Sequence, residues 1–598
     1  MRGAELDTRL AYRLGSRTLP VLPLETLYGQ DFRQWPELYS AVDQILKEEK
    51  VHAIAIDSVR RFQDGKKAQD VPKTILILSD VSLANQYESW QEAALKITNV
   101  LLEAKRPDIL VEFIDVQAVH EPKVELIESM SDAFICSWVE IREYILDQIK
   151  DRSWLSIDLL DRTLGQYKEE RKPTVCITAA DAGDDVWWAR ILPTLRNRLP
   201  HGMDLDLFYS SDLSLAADEP GPAEEPPEVF TTMNSYDHEV EIGSSIGACS
   251  DRSGSLGTTM LLRTPDGEEI RCALTNHHIV AKNDIVAQAA PAGTFISPAH
   301  TLVKQGLAYV RSPSEKDDLR MQKLKEWELE VAIEKRNQHH YNPKIEAERV
   351  RRLQAAEDNV QKLRNKKPED TILGTVYATS GYRSAFNDAY TSQEAAAWSR
   401  VTEGNEDLTK KINGKPLGWG LNWAIIKLQP LRDVTTHVPS PTHGVKMSHR
   451  ATLGTYQTIQ PHRAYNVVKY GRTSKWTTGT ISKIGSLLKL RLPGDPISVV
   501  PAELDHAFKS IVLAYGVKSR SRSREFLSPG DSGSVVLLNQ SEKKAIVVGL
   551  GFAANRVTMV SYMMPIDLVL KDIEKVTGCG VIEPVFGGEC LGDLPDSP

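Results

Sequence analysis

Residues 530–534, near the end of the 598-residue chain, read GDSGS and place Ser532 between two glycines. A serine hydroxyl is a weak nucleophile at its ordinary pKa, so the pentapeptide alone does not make an enzyme. Chemistry at Ser532 needs a base that takes the hydroxyl proton, a residue that orients the base, and N–H donors that hold a developing oxyanion. The rest of the sequence has to supply these groups.

The stretch LTNHHIV at 274–280 offers the base. Histidine is the commonest general base in proteins, and a histidine just beyond a strand end is placed to project into a cleft. His277 and His278 are therefore both candidates.

The sequence pattern around these motifs is typical of an all-β domain. Short apolar runs with Gly turns recur along it, and this spacing is typical of a barrel or a sandwich. The runs are GSLGTTMLLRT, EEIRCALTNH, ILGTVYATSGYR, NWAIIKLQP, YNVVKYG, TTGTISKIG and KAIVVGLGF.

Taken in this order, the motifs resemble the chymotrypsin/trypsin-like serine protease family, and TNHH is closest in style to its intracellular high-temperature-requirement branch. Supporting stretches are GSSIGA (243–248), KYGRTSKWTTGTISKI (469–484), VVGLGFA (547–553) and YMMPIDLVLKDIEKVTG (562–578). The resemblance covers about 235–580 and implies a double β-barrel. It also implies that His278 rather than His277 is the base, that Ser532 is the nucleophile, and that the amides of Gly530 and Ser532 form the oxyanion hole.

The third member of the family's triad is an aspartate that opens a D-x-A-L-L-x-L strand, but the matching stretch here, NWAIIKL, begins with Asn422. If the asparagine oxygen faces the ring, the residue orients the histidine but supplies no negative charge. If its NH2 group faces the ring, it selects the histidine tautomer that cannot accept the serine proton. The aspartate-to-asparagine change costs about 10⁴ in kcat in such a triad. Asp388 and Asp407, in a polar loop upstream, are alternative acids, although solvation is the expected fate of both. The domain is therefore a full protease, a slow one or a pseudoenzyme, and the retained His278 and Ser532 favour activity.

Only the family resemblance indicates which substrate side chain is preferred. The resemblance places Phe526 at the base of the primary substrate pocket, which argues against a charged pocket. It places Phe552 and Ala553 on the wall of that pocket. A small or apolar substrate side chain is expected.

Residues 312–370 interrupt the β-rich pattern with two charged helical stretches, which predict an antiparallel helical hairpin. Ser314 with Asp317 forms a potential capping box at its start. An a/d rhythm predicts that the two helices pack on each other rather than on a partner; its positions are Leu353, Ala356, Val360 and Leu363. His339 and His340, at the tip, lack companion ligands, so a solvated turn is expected there instead of a metal site.

The first part of the chain, residues 1–213, is predicted to be an α/β domain with two related strand-helix-strand units, at 74–116 and 174–209, separated by helices over 124–170. No Gly-rich phosphate loop follows either first strand, so a structural or recognition domain is expected. Residues 214–233 are predicted to be an acidic, Pro-rich linker, 234–580 the protease-like domain, and 581–598 a C-terminal tail.

Composition excludes several classes of function. The net charge of −9 argues against nucleic acid or an anionic membrane as the main partner. The N-terminus lacks the apolar core of a signal peptide, no run of ~18 apolar residues occurs, and the six cysteines are scattered without a CxxC pair.

The sequence therefore predicts an intracellular, cytoplasmic serine endopeptidase without cofactor or metal, acting on a protein or peptide substrate. A protein partner would bind the N-terminal domain or the hairpin. The alternative is a catalytically impaired pseudoprotease that serves as a binding or scaffold protein. A peptide-binding or chaperone-like module is a weaker third interpretation, since no separate ligand-binding domain follows the barrel.

Overall fold

A computed structural model describes residues 6–590 apart from 11, 17, 30–34, 64, 82–84, 120–122, 128–130, 164–171, 212, 214–229, 249–252, 282–283, 292, 339–342, 403–416, 490–510, 522–523 and 541–542. Most of the predicted linker, both hairpin-tip histidines and Asp407 lie outside the described residues. The chain divides into two compact units, Met1–Asp212 and Leu213–Pro598.

Unit one, Met1–Asp212, contains ten strands and five helices among its described residues. The strands are β1 (Asp7–Leu10), β2 (Arg13–Gly15), β3 (Glu25–Tyr28), β4 (Ala53–Phe62), β5 (Lys73–Ser79), β6 (Ile109–Asp115), β7 (Lys123–Glu125), β8 (Trp154–Thr163), β9 (Lys172–Ala179) and β10 (Asp204–Tyr209). The helices are α1 (Pro36–Glu48), α2 (Gln86–Glu103), α3 (Val116–Val119), α4 (Asp132–Gln148) and α5 (Leu192–Arg196), the last preceded by a π-helical turn at Trp187–Ile191.

Two parallel strand pairs organise unit one. In the six-stranded sheet of order β1-β2-β6-β5-β4-β3, β5 and β6 are parallel and α2 connects them. Further along, β9 and β10 are parallel, with α5 between them. Trp90 and Phe113, from α2 and β6, are fully buried and stack 5.7 Å apart in the core of the first sheet.

The prediction of helices throughout 124–170 is wrong for two segments. β7 begins the range, and Trp154–Thr163 forms β8, which pairs antiparallel with β7 and β9. Its residues from Trp154 to Leu160 are all buried, so WLSIDLL shows no alternation. A fully buried strand and a buried helix cannot be distinguished by periodicity.

Unit two, Leu213–Pro598, is rich in strands. These are β11 (Glu239–Val240), β12 (Ser245–Ile246), β13 (Gly254–Ser255), β14 (Thr259–Arg263), β15 (Glu269–Asn276), β16 (Tyr309–Arg311), β17 (Ile372–Thr379), β18 (Arg383–Ala385), β19 (Trp419–Leu421), β20 (Trp423–Leu428), β21 (Asp433–Val434), β22 (Thr452–Ile459), β23 (Tyr465–Gly471), β24 (Lys475–Lys489), β25 (Ile511–Ser519), β26 (Val535–Leu538), β27 (Lys544–Asn555), β28 (Val560–Pro565), β29 (Gly580–Glu583) and β30 (Val585–Cys590). The helices are α6 (His277–Val280), α7 (Asp284–Ala289), α8 (Thr301–Lys304), α9 (Glu315–Asn337), α10 (Pro343–Arg364), α11 (Asp388–Thr402) and α12 (Ile566–Thr577).

Two groups of strands form the body of unit two. One is a six-stranded sheet of order β16-β17-β20-β15-β14-β29. In the other, hydrogen-bonded pairs run in a cycle from β24 through β23, β26, β27, β28 and β25 back to β24. The protein is thus a mixed α/β structure with several sheets, and the double β-barrel stays a prediction because β16 and β29 form the two edges of the first sheet.

The inserted hairpin consists of α9 and α10, which pack against each other. Three of the predicted contact residues, Ala356, Val360 and Leu363, are buried, whereas Leu353 is partly exposed. The apolar rhythm of α10 therefore marks the face it turns towards α9.

Two further expectations need correction. The segment taken as a C-terminal tail contains β29 and β30, whose backbones pair with β14 and β22. Asp388 does not lie in a loop but begins α11, where the helix N-terminus favours a carboxylate. Among the described residues, no helix combines the length and the apolar character needed to cross a membrane.

Candidate active site

Two antiparallel strands bring His278 and Asn422 together. β15 ends at Asn276 and β20 begins at Trp423, and these two residues are cross-strand partners. α6 follows β15 directly, with its N–H at His277 donating to the carbonyl of Asn422 at 3.1 Å. The pairing of the two strands thus places the histidine beside the residue that opens β20.

α6 is held in place by apolar packing. Ile279 and Val280 are buried in the core of the six-stranded sheet, together with Val376 and Ile426 from the neighbouring strands. Because these two residues fill the core, the orientation of the four-residue helix is fixed, and with it the position of His278.

The Asn422 side chain makes two contacts with His278. Its Oδ1 accepts the backbone N–H of His278 at 3.1 Å, and its Nδ2 lies 2.9 Å from His278 Nδ1. Rotating the amide by 180° would set its NH2 against that backbone N–H, donor against donor, so the observed orientation is the favourable one. An amide nitrogen can only donate, so Nδ1 is the acceptor and the ring proton is on Nε2.

His277 has a different environment. Its Nδ1 lies 2.8 Å from the Thr379 hydroxyl, and its ring packs edge-on against Tyr382 with centroids 4.8 Å apart. Burial, and then the neighbouring His278, lower the pKa of His277 to about 3. His277 is therefore a neutral histidine, and His278 is the one whose ring contacts the Asn422 side chain.

The GDSGS motif forms a tight turn that leads into β26. Within it, the N–H of Asp531 donates to Ser528 O at 2.9 Å, and that of Ser534 to Asp531 O at 3.0 Å. The N–H of Gly533 donates to Gly551 O at 3.0 Å. The amides of Asp531, Gly533 and Ser534 thus have backbone acceptors within or beside the turn.

The turn lies against the histidine helix. Ser532 O accepts the N–H of Ser255 at 2.7 Å, and Ser532 Oγ donates to Phe552 O at 3.1 Å. A Cβ on Gly533 would stand 3.2 Å from Ile279 Cδ1, the residue next to the candidate base. The structure therefore brings the nucleophile turn and α6 into contact, although the Ser532 side chain itself has no exposed surface.

A buried carboxylate next to the nucleophile holds the turn. Asp531 accepts hydrogen bonds from Lys469 Nζ at 2.6 Å, from the hydroxyl of Ser474 at 2.5 Å, and from the N–H groups of Thr473 (2.9 Å), Ser474 (3.1 Å) and Ser528 (3.0 Å). Burial opposes ionisation, but the Lys469 ammonium and these donors outweigh it and keep the pKa of Asp531 below its ordinary value. The aspartate is thus a charged anchor for the turn.

The sequence analysis did not identify Lys469 as functional. In β23, Lys469 shares a face with the buried Tyr465 and Val467, at a spacing of two residues. A cation at an inward position of an apolar strand is the signal that could have found it, since a buried lysine requires a charged partner.

The three predicted pocket residues are all buried. The Phe526 ring lies against β24, where a Cβ on Gly479 would be 2.8 Å from Phe526 Cδ2. The carbonyl of Phe552 accepts the nucleophile's hydroxyl, while Ala553 pairs with Tyr562 of β28. Phe552 is therefore beside the candidate site, and a role of Phe526 and Ala553 in specificity stays a prediction.

Of the two alternative acids, Asp388 begins α11 and Asp407 is outside the described residues, so a role of either beside the histidine stays a prediction. The described part of the chain also holds no cluster of three or more His, Cys, Asp or Glu side chains suited to a metal ion. The Asn422 side chain is the described group that contacts the His278 ring at Nδ1.

No protein-family model and no curated protein matches the chain. Among solved structures, a glutamic acid specific serine protease that uses a histidine triad in substrate binding matches with 11% identity and a TM-score of 0.25, over 57% of this chain and 100% of that chain. A likeness of that size carries no argument about this chain.

Proposed function

We propose that the chain is a serine endopeptidase with low basal activity, in which Ser532 is the nucleophile, His278 the base and Asn422 its orienting partner. The observation that carries this proposal is the convergence of three separate chain segments. Asn422 contacts His278 at 2.9 Å, and the turn of Ser532 packs on the helix that bears His278.

The reaction would follow the acyl-transfer pattern of serine hydrolases. Ser532 Oγ attacks the peptide carbonyl while its proton passes to His278 Nε2, and the amides of Gly530 and Ser532 hold the oxyanion. His278 then gives the proton to the leaving amine, and water hydrolyses the acyl-enzyme by the same steps in reverse order. No cofactor is needed.

Two features support slow turnover. The amide orientation of Asn422 leaves the ring proton on Nε2, where the base has to accept one, so His278 must change tautomer before it can act. Ser532 is also fully buried, so a peptide reaches it only after the surrounding chain moves. Both features reduce the fraction of molecules that are ready to react.

The fold that accompanies this proposal is a double β-barrel. The closed cycle of six strands supports one barrel, and the six-stranded sheet with β12 and β13 beside it supports the other. His278 and Asn422 lie at the ends of strands of the six-stranded sheet, whereas Ser532 precedes β26 of the cycle. The proposed nucleophile and its base thus belong to different strand groups.

A second candidate function is a pseudoprotease that binds proteins without cleaving them. The Asn422 amide favours it, because a permanently wrong tautomer would leave Ser532 without a base. Residues 1–213, or the exposed part of the hairpin, would then provide the binding surface, as they would provide recognition or regulation in the active enzyme.

An intracellular location is part of the proposal. Two cysteines that the structure describes, Cys272 and Cys579, are buried free thiols. Reduced cysteines are typical of proteins in a reducing compartment.

A fluorophosphonate probe, which phosphonylates activated serines, tests the proposal on the full chain. The wild-type protein should label slowly at Ser532, Asn422→Asp should label faster, and Ser532→Ala should not label. Ser528→Ala is the matched control, because Ser528 contacts Asp531 through its backbone. It should label like the wild type.

If folded wild-type protein and folded Asn422→Asp both fail to label, the peptidase proposal is overturned and the pseudoprotease is favoured. Labelling that persists in Ser532→Ala would also overturn it, since the activated serine would then lie elsewhere.

A further inference from the structure

The first turn of the inserted hairpin is fixed to the body of unit two. In α9, the buried residues are Asp317 and Met321. The N-cap hydroxyl of Ser314 accepts the N–H of Asp317 at 3.3 Å and is hydrogen-bonded to the hydroxyls of Ser245 at 2.9 Å and Ser253 at 2.6 Å. The start of the helix is therefore held by a network of buried hydroxyl groups.

The predicted capping box is only half formed. The N–H of Ser314 donates to Ser245 Oγ at 3.2 Å, not to Asp317. The Asp317 carboxylate instead forms a two-pronged ion pair with Arg472, in which Nη2 donates to Oδ1 at 2.6 Å and Nε donates to Oδ2. Neither side chain of the pair has any exposed surface. The helix thus directs its acidic residue inwards, to a cation 155 residues away.

Charge and stacking support an ionised pair. Burial opposes ionisation of Asp317, but hydrogen bonds and charge from Arg472, with help from Ser245 and Arg320, lower the pKa of the carboxyl below its ordinary value. The Phe230 ring covers the guanidinium of Arg472, with 4.4 Å between Cζ and the ring centroid. The guanidinium is therefore held in one orientation.

Arg472 touches the nucleophile turn at Gly530. A Cβ on Gly530 would stand only 2.2 Å from Arg472 Nη1, so the guanidinium lies directly on the glycine. The N–H of Arg472 donates to Ser255 Oγ at 2.9 Å, and this hydroxyl donates to Gly530 O at 3.0 Å. The arginine thus holds Gly530 from two sides, by its side chain and through Ser255.

We infer that Asp317 is a positioning residue for the oxyanion donor Gly530, and that the inserted hairpin is in this way a working part of the active site. This inference rests on the proposed function. Asp317 fixes the orientation of the Arg472 guanidinium. Arg472 in turn fixes the position of Gly530, whose N–H would donate to the developing oxyanion. A misplacement of about 1 Å in such a group costs up to about 10²-fold in rate.

The test uses the two kinetic constants of the fluorophosphonate reaction, kinact for phosphonylation and KI for binding, in both the wild-type and the Asn422→Asp background. Asp317→Asn should lower kinact by about 10- to 100-fold and leave KI unchanged, because the phosphoryl oxygen occupies the oxyanion hole only during the chemical step. Glu330→Gln, an exposed acid on the same helix, is the control and should leave both constants unchanged.

The double variant Asp317→Asn with Arg472→Gln separates positioning from folding. It leaves no fully buried charge unpaired, since Arg320, the other partner of Asp317, is partly exposed, so its unfolding temperature should recover while its kinact stays low. Arg472→Lys, which keeps a charge for Asp317 but cannot reach Gly530 in the same way, should also lower kinact and carries the test if Asp317→Asn does not fold.

The inference is overturned if folded Asp317→Asn keeps kinact within twofold, or if kinact recovers together with stability in the double variant. In either case the peptidase proposal stands, because labelling at Ser532 continues. Absence of labelling in both the wild type and Asn422→Asp removes the proposed function and this inference with it.

Discussion

Asn422 holds His278 by two atoms at once: Oδ1 accepts the histidine's backbone N–H at 3.1 Å, and Nδ2 faces its Nδ1 at 2.9 Å. The first contact fixes which end of the amide faces the ring, and the second fixes the ring's tautomer. An aspartate in the same position would accept from both the backbone N–H and Nδ1–H. A single side chain therefore decides whether Nε2 is ready to take a proton.

Asn422→Asp should accelerate the reaction of Ser532. The change replaces a donor at Nδ1 by a charged acceptor, which selects the competent tautomer and stabilises the imidazolium. The reverse change costs about 10⁴ in kcat in a Ser-His-Asp triad, so a gain of about 10²- to 10⁴-fold in kinact is expected. The measurement is the rate of fluorophosphonate labelling against pH.

Asn422→Ala is the control for this gain. It removes both contacts and should lower the rate below that of the wild type, because the ring then loses its orientation. An equal rate in Asn422→Asp and Asn422→Ala would contradict the role given to the amide.

Most of the strands that carry the site were predictable from sequence, because β15, β20 and β23 coincide with the short apolar runs EEIRCALTNH, NWAIIKLQP and YNVVKYG. β8 was not, since a strand buried on both faces has no period of two. His278, Asn422 and Ser532 were found through their motifs.

The charged groups that support the turn were not found. Lys469 and Asp531 are 62 residues apart in the chain, and Asp317 and Arg472 are 155 residues apart. The apolar strand around Lys469 marks it as inward-facing, but Asp317 and Arg472 each have an ordinary surface interpretation, and only the folded structure shows the partner in each pair.

Lys469→Met should destabilise unit two strongly. It leaves the Asp531 carboxylate buried without its counter-charge, and breaking a buried pair on one side costs about 3–5 kcal/mol in the free energy of unfolding. The double variant Lys469→Met with Asp531→Asn should cost less than the single one, because no charge is left unpaired. Urea unfolding of the three proteins checks this, and a cost below about 1 kcal/mol for Lys469→Met would contradict a charged anchor.

Gly533→Ala should disrupt the nucleophile turn. With φ at +92°, a Cβ would lie 2.4 Å from both Ser255 O and Thr275 Oγ1, and the former is backbone that cannot move aside. Gly267→Ala is the matched control, since Gly267 has φ +91° but nothing within 4 Å of its Cβ position. The control carries only the left-handed strain, about 1–2 kcal/mol.

Comparing the unfolding temperatures of the two glycine variants separates the cost of backbone strain, which both carry, from the cost of steric overlap, which only Gly533→Ala carries. Gly533→Ala should lose several kcal/mol and its fluorophosphonate labelling, as expected for overpacking added to strain. Similar unfolding temperatures for the two variants would contradict this prediction. They would show that the structure accommodates a Cβ at Gly533 without loss of stability beyond the backbone strain.

His277 should make the free energy of unfolding depend on pH below about 6.5. Its pKa is about 3 in the folded chain, against a reference of 6.5, because it is buried beside His278. Below pH 6.5 the unfolded chain binds a proton that the folded chain does not, so the free energy of unfolding falls as the pH falls. The slope approaches about 1.4 kcal/mol per pH unit and ends only near pH 3.

The comparison of wild type with His277→Gln, by urea unfolding at pH 7.5, 6.5, 5.5 and 5.0, isolates this contribution from that of other groups. The variant should be less stable at pH 7.5, because it loses the packing on Tyr382, but its stability should fall less between pH 6.5 and 5.0. Parallel curves for the two proteins would mean that His277 keeps an ordinary pKa, and the neutral role assigned to it beside His278 would then be wrong.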